Sequence, residues 1–184
     1  MKKLLVFLVV LFFYSDSSFS QVNITTNLGY KAIFKEFANY YRTGSGFGGS
    51  GGIEYYLLSS NIAASAELSY IKFSGLQSSS VGGPVPDIDV LTFTGGIKEF
   101  FKSNTSRMYP YWGVKVGLIS SKIQDTGTSY ESSFMWALQV GFRFQLTQSG
   151  TGTAFDGNIQ YNRSSNNGKR ISFFGLNFGI AFPL

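Results

Sequence analysis

The sequence predicts an all-β chain, an eight-stranded antiparallel up-and-down transmembrane β-barrel, on three observations. Eight segments place apolar residues at every second position, the period of a strand with two unlike faces. The connections between these segments alternate between long and short, as in a barrel with loops at one end and turns at the other. Aromatic residues make up 17% of the chain and glycine contributes 22 residues, whereas charged residues reach only 14%, too few to solvate an ordinary water-facing surface.

The chain opens Met1-Lys2-Lys3, runs apolar over Leu4–Phe13 and reaches Ser18-Phe19-Ser20 before Gln21. A positive start, a short apolar core and small residues just before the cut describe a secretory signal peptide. Residues 1–20 are therefore expected to be removed before Gln21, leaving 21–184 as a single barrel domain. The apolar run falls short of the roughly 20 residues that a membrane-spanning helix requires.

The predicted strands follow in order. The first, Asn23–Lys35, sets Leu28, Tyr30, Ala32 and Phe34 against Asn27, Gly29, Lys31 and Ile33. The second, Gly46–Leu57, sets Phe47, Ile53, Tyr55 and Leu57 against Gly48, Ser50, Gly52 and Glu54. In the third, Ile62–Phe73, Ala64, Ala66, Leu68 and Tyr70 oppose Ser65, Glu67 and Ser69; in the fourth, Ile88–Phe101, Leu91, Phe93 and Ile97 oppose Thr92, Thr94, Gly96 and Lys98. The segment between them, Ser74–Asp87, carries Pro84 and Pro86, which cannot sit in a central strand. The fifth, Met108–Ser121, alternates Trp112, Val114, Val116 and Leu118 with Tyr111, Gly113, Lys115 and Gly117. The sixth, Ser133–Leu146, is the most regular: Phe134, Trp136, Leu138, Val140, Phe142 and Phe144 against Met135, Ala137, Gln139, Gly141, Arg143 and Gln145. The seventh, Thr153–Asn162, sets Phe155, Ile159 and Tyr161 against Asp156, Asn158 and Gln160. The eighth, Arg170–Leu184, sets Phe174, Leu176, Phe178, Ile180 and Phe182 against Gly175, Asn177, Gly179 and Ala181.

Alternation alone does not say which face points outward, because a soluble lipocalin-like barrel has the same period with its apolar set inside. The polar set here is small and neutral, with about one charge per strand, which does not suit a water-facing surface. Aromatic residues cluster toward strand ends on the apolar set (Tyr30, Phe47, Tyr55, Tyr70, Trp112, Phe134, Trp136, Phe155), like the girdles at membrane interfaces. Together with the secretion signal and the loop rhythm, these features turn the apolar face toward lipid. Closure of the sheet then follows, since lipid offers no partner to a strand edge.

On these residues the mature chain resembles the eight-stranded outer-membrane β-barrel family of bacteria, related in pattern to the OmpA and OmpX barrels. It is closest in flavour to the PorT or porin-like group of Bacteroidetes type. Its end, Asn177-x-Gly179-x-x-Phe182-x-Leu184, resembles the C-terminal targeting signal of that family, with Leu184 in place of the usual aromatic and Pro183 interrupting the last step. The resemblance implies integral outer-membrane location, contact with outer-membrane lipid, and recognition by the barrel assembly machinery through the closing strand.

Composition excludes several chemistries. The formal net charge is +5, without a Lys/Arg run that would bind nucleic acid. The chain has no Cys and no His, which removes disulfides, thiolate sites and imidazole catalysis. No cofactor or metal is expected, and the chain reads as no enzyme. Gly44-Ser-Gly46-Phe-Gly48-Gly49 spells G-x-G-x-x-G and Gly48-Gly-Ser50-Gly-Gly52 spells a nucleophile elbow. Neither leads into a helix, so both are read as glycines that let a strand bend.

The inward set holds seven charges: Lys31, Glu54, Glu67, Lys98, Lys115, Arg143 and Asp156. Buried charges require partners, and neighbouring strands suggest the pairs Lys31–Glu54, Glu67–Lys98 and Arg143–Asp156. Two readings of this lumen charge network stay open, a static plug and a gated ion path. At the level of the whole protein the sequence allows an envelope structural or surface-interaction barrel, a narrow ion channel, or an accessory of a secretion or assembly system. Partner contact, an extracellular ligand included, would fall on the long loops, chiefly Ser74–Asp87 and Lys122–Ser132.

Overall fold

A computed structural model describes residues 22–34, 43–57, 61–75, 87–101, 107–123, 131–146, 152–166 and 169–184. Eight strands run through them: β1 (Val22–Ile33), β2 (Thr43–Tyr56), β3 (Ile62–Gly75), β4 (Ile88–Phe100), β5 (Met108–Ile123), β6 (Glu131–Gln145), β7 (Ala154–Asn166) and β8 (Lys169–Pro183). Each pairs antiparallel with its neighbours, and β1 pairs with β8 to close the barrel. The expected signal segment 1–20 and most of the expected long loops lie outside the described residues.

The face assignment matches parity in every strand. Leu28 is 63% exposed, Phe47 61%, Phe93 59% and Val140 59%, while Thr92, Gln139, Arg143 and Asn158 are buried. Apolar side chains outside and amides and charges inside are the reverse of a soluble barrel, and hydrocarbon is the solvent that such a surface fits. Tyr70 donates from its hydroxyl to Asp89 Oδ1 (2.7 Å) at the loop end. Trp112 donates from its indole nitrogen to Glu99 Oε2 (2.8 Å) at the turn end. Both rings are half in grease and half on a polar partner, as interfacial aromatics are.

The inside-out polarity does not run the full height of the barrel. Strands of 12 to 16 residues exceed the roughly 9–11 that cross a bilayer, and the excess falls at the loop end. There the outward positions are exposed and polar, including Ser45, Lys72, Ser74, Lys122 and Ser132. The inward positions are apolar: Ile71, Phe73, Ile88, Val90, Ile119, Met135 and Phe173 pack into one cluster. Beyond the lipid the barrel thus becomes grease-in and polar-out. At this rim Lys72 pairs with Asp87 (2.9 Å). That bond, together with the Gly75 N–H, holds the Asp87 carboxyl below its ordinary range.

The glycines of β2 accommodate this cluster. A Cβ on Gly48 would stand 2.9 Å from both Cα and Cγ1 of Ile71, closer than real Cβ atoms approach. β2 is therefore lean because β3 is bulky, and the G-x-G-x-x-G spelling is a packing feature. Gly48→Val is expected to overpack this wall and cost about 1–3 kcal/mol. Urea titration of the folded protein in lipid vesicles would measure it, and an unchanged midpoint would contradict this packing.

The seventh strand differs from expectation. It continues past Asn162 to Asn166, with Arg163 opposite Ser172 and Asn166 opposite Lys169. The polar run Arg163-Ser-Ser-Asn lacks apolar alternation, so it reads as loop. The pair Asn167-Gly168 between the last two partners is the sequence signal of a two-residue hairpin connection.

Candidate functional site

The candidate site is the lumen below the apolar cluster. Every one of the seven inward charges expected there points into the barrel, and six of them are buried (Lys31, Glu54, Lys98, Lys115, Arg143 and Asp156). Glu67 is partly buried. They divide into two linked groups.

The lower group sits toward the turn end. Arg143, 1% exposed, directs Nη2 (2.7 Å) and Nε (3.1 Å) at Asp156 Oδ2. Its Nη1 donates to the Tyr56 hydroxyl (2.7 Å) and lies 2.8 Å from Glu54 Oε2. The Lys98 ammonium donates to Glu54 Oε1, and Tyr111 donates to Asp156 Oδ1 (2.6 Å). Two cations thus meet two carboxylates, which balances the buried charge. Aromatic rings floor the group. The Arg143 guanidinium lies 4.8 Å from the Phe100 centroid and the Lys98 ammonium 5.1 Å from that of Tyr111, within the range of cation–π attraction. Ala63, Phe100 and Tyr111 form a small apolar cluster there, with Tyr56 and Tyr109 against it.

The upper group lies at mid-height. Lys115 donates to Glu67 Oε2 (3.1 Å) and to Gln160 Oε1 (3.3 Å), and Gln160 Nε2 donates to Asn162 Oδ1 (2.7 Å). Lys31 donates to Asn177 Oδ1, whose Nδ2 donates to Asn158 Oδ1 (2.8 Å). Asn158 Nδ2 reaches Asp156 Oδ1 at 3.4 Å. This relay ties Lys31 to the lower group through two amides. An ammonium can only donate, so each lysine fixes the orientation of the amides that follow it. The asparagines and glutamines of β7 are thereby as much part of the site as the charges, and period-two reading placed Asn158, Gln160 and Asn177 inside without giving them a role.

Of the three pairs expected from sequence, Arg143–Asp156 is present, the two residues standing directly opposite in the β6–β7 ladder. The pair Lys31–Glu54 is absent: Lys31 stands opposite Gly46 and Glu54 opposite Asn23. That is eight positions along the strand, about 26 Å at the strand rise. Glu67–Lys98 is absent too, because Glu67 faces Thr94 on β4, four positions or about 13 Å away. Glu54 is taken instead by Lys98 and Arg143, and Glu67 by Lys115. In these three contacts inward side chains meet across the lumen between strands that are not neighbours, as a tilted, closed sheet allows, whereas Arg143 and Asp156 meet along the ladder.

The closing-strand residues occupy the turn end of β8. Phe182 and Leu184 face outward, 42% and 69% exposed. Asn177 is drawn into the lumen relay, and Gly179 lies beside Asn27, where a Cβ would collide with the Asn27 side chain. Among the described residues no cluster of His, Cys, Asp and Glu is arranged to hold a metal.

No protein-family model matches the sequence, and no curated protein matches it. Solved structures do match in fold. Neisserial surface protein A aligns over 89% of this chain and 97% of its own, with TM-score 0.67 and 15% identity. OprG from Pseudomonas aeruginosa aligns over 88% and 96%, with TM-score 0.52 and 13% identity. Ail from Yersinia pestis in a phospholipid bilayer nanodisc aligns over 87% and 99%, with TM-score 0.51 and 15% identity. The chain has the fold of these eight-stranded outer-membrane barrels.

Arg143→Ala is expected to leave the Asp156 carboxylate without its cation, with Glu54 held by Lys98 alone, and to cost on the order of 3–5 kcal/mol. Arg143→Lys would recover part of it, since one ammonium cannot serve Asp156, Glu54 and Tyr56 together. Equilibrium urea titration from vesicles would measure both variants, and a loss near zero for Arg143→Ala would show the lumen to be wet.

Proposed function

We propose that this protein is a non-enzymatic integral barrel of the bacterial outer membrane, with an envelope structural or surface-interaction role and a lumen filled by a static network. The observation that carries this reading is the stacking of three unlike layers inside the barrel. An apolar cluster stands at the loop end, charge-anchored amide relays at mid-height, and an ion-paired group over aromatic rings at the turn end. A hydrated ion would have to part the first and the last, and eight strands leave an interior that side chains can fill.

The outward apolar belt and the likeness in fold to outer-membrane barrels support the location. In this reading residues 1–20 serve export, the long loops face the exterior with any surface ligand, and the closing strand with Phe182 and Leu184 is the segment offered to the assembly machinery. Replacing Phe182 by Ser is then expected to reduce assembly in cells severalfold while leaving refolding into detergent intact. Heat-shifted electrophoretic mobility reads both, and equal loss in the two settings would point to simple instability.

Planar-bilayer recording on the purified protein tests the filled lumen. Silence is expected. Ohmic steps that change in Lys115→Ala would make the protein a narrow channel. A deletion strain that fails to secrete other proteins would assign it to a secretion system.

A further inference from the structure

We propose that Lys31 and Asn177 become joined by an isopeptide bond that staples the first strand of the barrel to the last. The two residues are 146 positions apart in sequence and meet because the sheet closes. In the β1–β8 ladder Lys31 stands opposite Gly175 and Asn177 opposite Gly29, so the two inward side chains are diagonal neighbours. Both glycines are cradles. A Cβ on Gly175 would stand 2.8 Å from Lys31 Nζ, and one on Gly29 would collide with Asn177 Oδ1. Each side chain lies over the glycine of the other strand, and Lys31 Nζ ends on the Asn177 amide. The pair is enclosed, at 8% and 6% exposure.

The groups around this contact are those that aminolysis of an amide requires. A lysine is made nucleophilic by desolvation and by a neighbouring base, and a held geometry supplies much of the entropy of activation. Lys31 Nζ, in contact with Oδ1, lies beside the carbonyl carbon of the same amide. Asn158 Oδ1 accepts from Asn177 Nδ2 (2.8 Å), which keeps the amide turned with its oxygen toward the lysine. The Glu67 carboxylate lines the same cavity and acts on Lys31 electrostatically. Lys115 meets an amide too, that of Gln160, but it is bound directly to Glu67. In the step, Glu67 takes one proton from the Lys31 ammonium, and the freed Nζ electron pair forms the bond to Asn177 Cγ. The Cγ–Nδ2 bond breaks with its electrons on nitrogen, and Nδ2 takes a second proton from Nζ and departs as ammonia. The Glu67 proton follows it, so ammonium is released, the carboxylate is restored and nothing is oxidised or reduced. The cavity, about 20 Å³, has room for a product the size of water. The reaction removes one of the two ammonium groups that share Glu67 and leaves Lys115 paired with it one to one. The inference goes beyond the envelope role and would hold equally for a conducting barrel.

The test is the intact mass of wild-type protein extracted from membranes, with tandem mass spectrometry of its peptides. A chain lighter by one ammonia is expected, together with a branched peptide in which Lys31 is linked to Asn177. Lys31→Met should keep that ammonia. Boiled in detergent, the wild type should still run ahead of Lys31→Met, because a loop across 146 positions stays closed. Lys31 and Asn177 peptides found wholly unlinked in the wild type would overturn the proposal, whether or not Lys31→Met folds. An equal loss of ammonia in Lys31→Met would overturn it as well. Protein refolded from dissolved inclusion bodies starts unlinked, so the rate of linking can be followed by mass. Glu67→Gln, once folded, should link about a hundredfold more slowly, and an unchanged rate would overturn the part given to Glu67.

Discussion

The constraint on which the structure depends is that hydrocarbon cannot hydrogen-bond a peptide group. Each strand must find both ladders within the protein, and the first must meet the last. The β1–β8 register, from Asn23 opposite Pro183 to Ile33 opposite Phe173, satisfies that demand. Once the sheet is closed, side chains of one parity have only lipid to meet and those of the other only one another. The apolar belt and the polar interior are consequences of that single geometric fact.

Enclosure also governs the chemistry inside. Eight strands leave a narrow lumen, so a charge placed there cannot reach bulk water and must be answered locally. Arg143 shows how this is met: one guanidinium serves Asp156, Glu54 and Tyr56 while stacking near Phe100. Lys98 and Lys115 pair directly with Glu54 and Glu67. Lys31 and Lys115 also donate to amides, and the β7 residues Asn158, Gln160 and Asn162 extend those hydrogen bonds through the lumen. The polar interior is thus a directed network, with its sense set by groups that can only donate.

Much of this was legible in the sequence because parity is local. A residue's face is decided by its position along its own strand, so the outward set of β6, from Phe134 to Phe144, could be read without knowing any partner. Strand ends were read within a few residues for the same reason, except in β7, where Arg163-Ser-Ser-Asn gave no apolar signal. Partnership is not local. Which inward charge meets which depends on strand tilt and stagger, and Lys31–Glu54 and Glu67–Lys98 were misjudged because those quantities are set by closure of all eight strands. Arg143–Asp156 was legible because the two flank one short turn. The apolar layer at the loop end had a signal that went unused. In β3 the apolar phase flips from Leu68 and Tyr70 to Ile71 and Phe73, and in β8 from Ile171 and Phe173 to Phe174 and Leu176. Such a flip marks where lipid gives way to water outside the wall.

The central claim is the direction of polarity in the belt, and the lack of cysteine in the chain makes it open to a clean measurement. A nitroxide label on Val140→Cys, in protein refolded into lipid vesicles, should collide readily with dissolved oxygen and scarcely with a water-soluble nickel complex. The account predicts that pattern because Val140 stands 59% exposed at mid-belt. Free access of the nickel complex to the label, in a protein that stays monomeric without detergent or lipid, would contradict it.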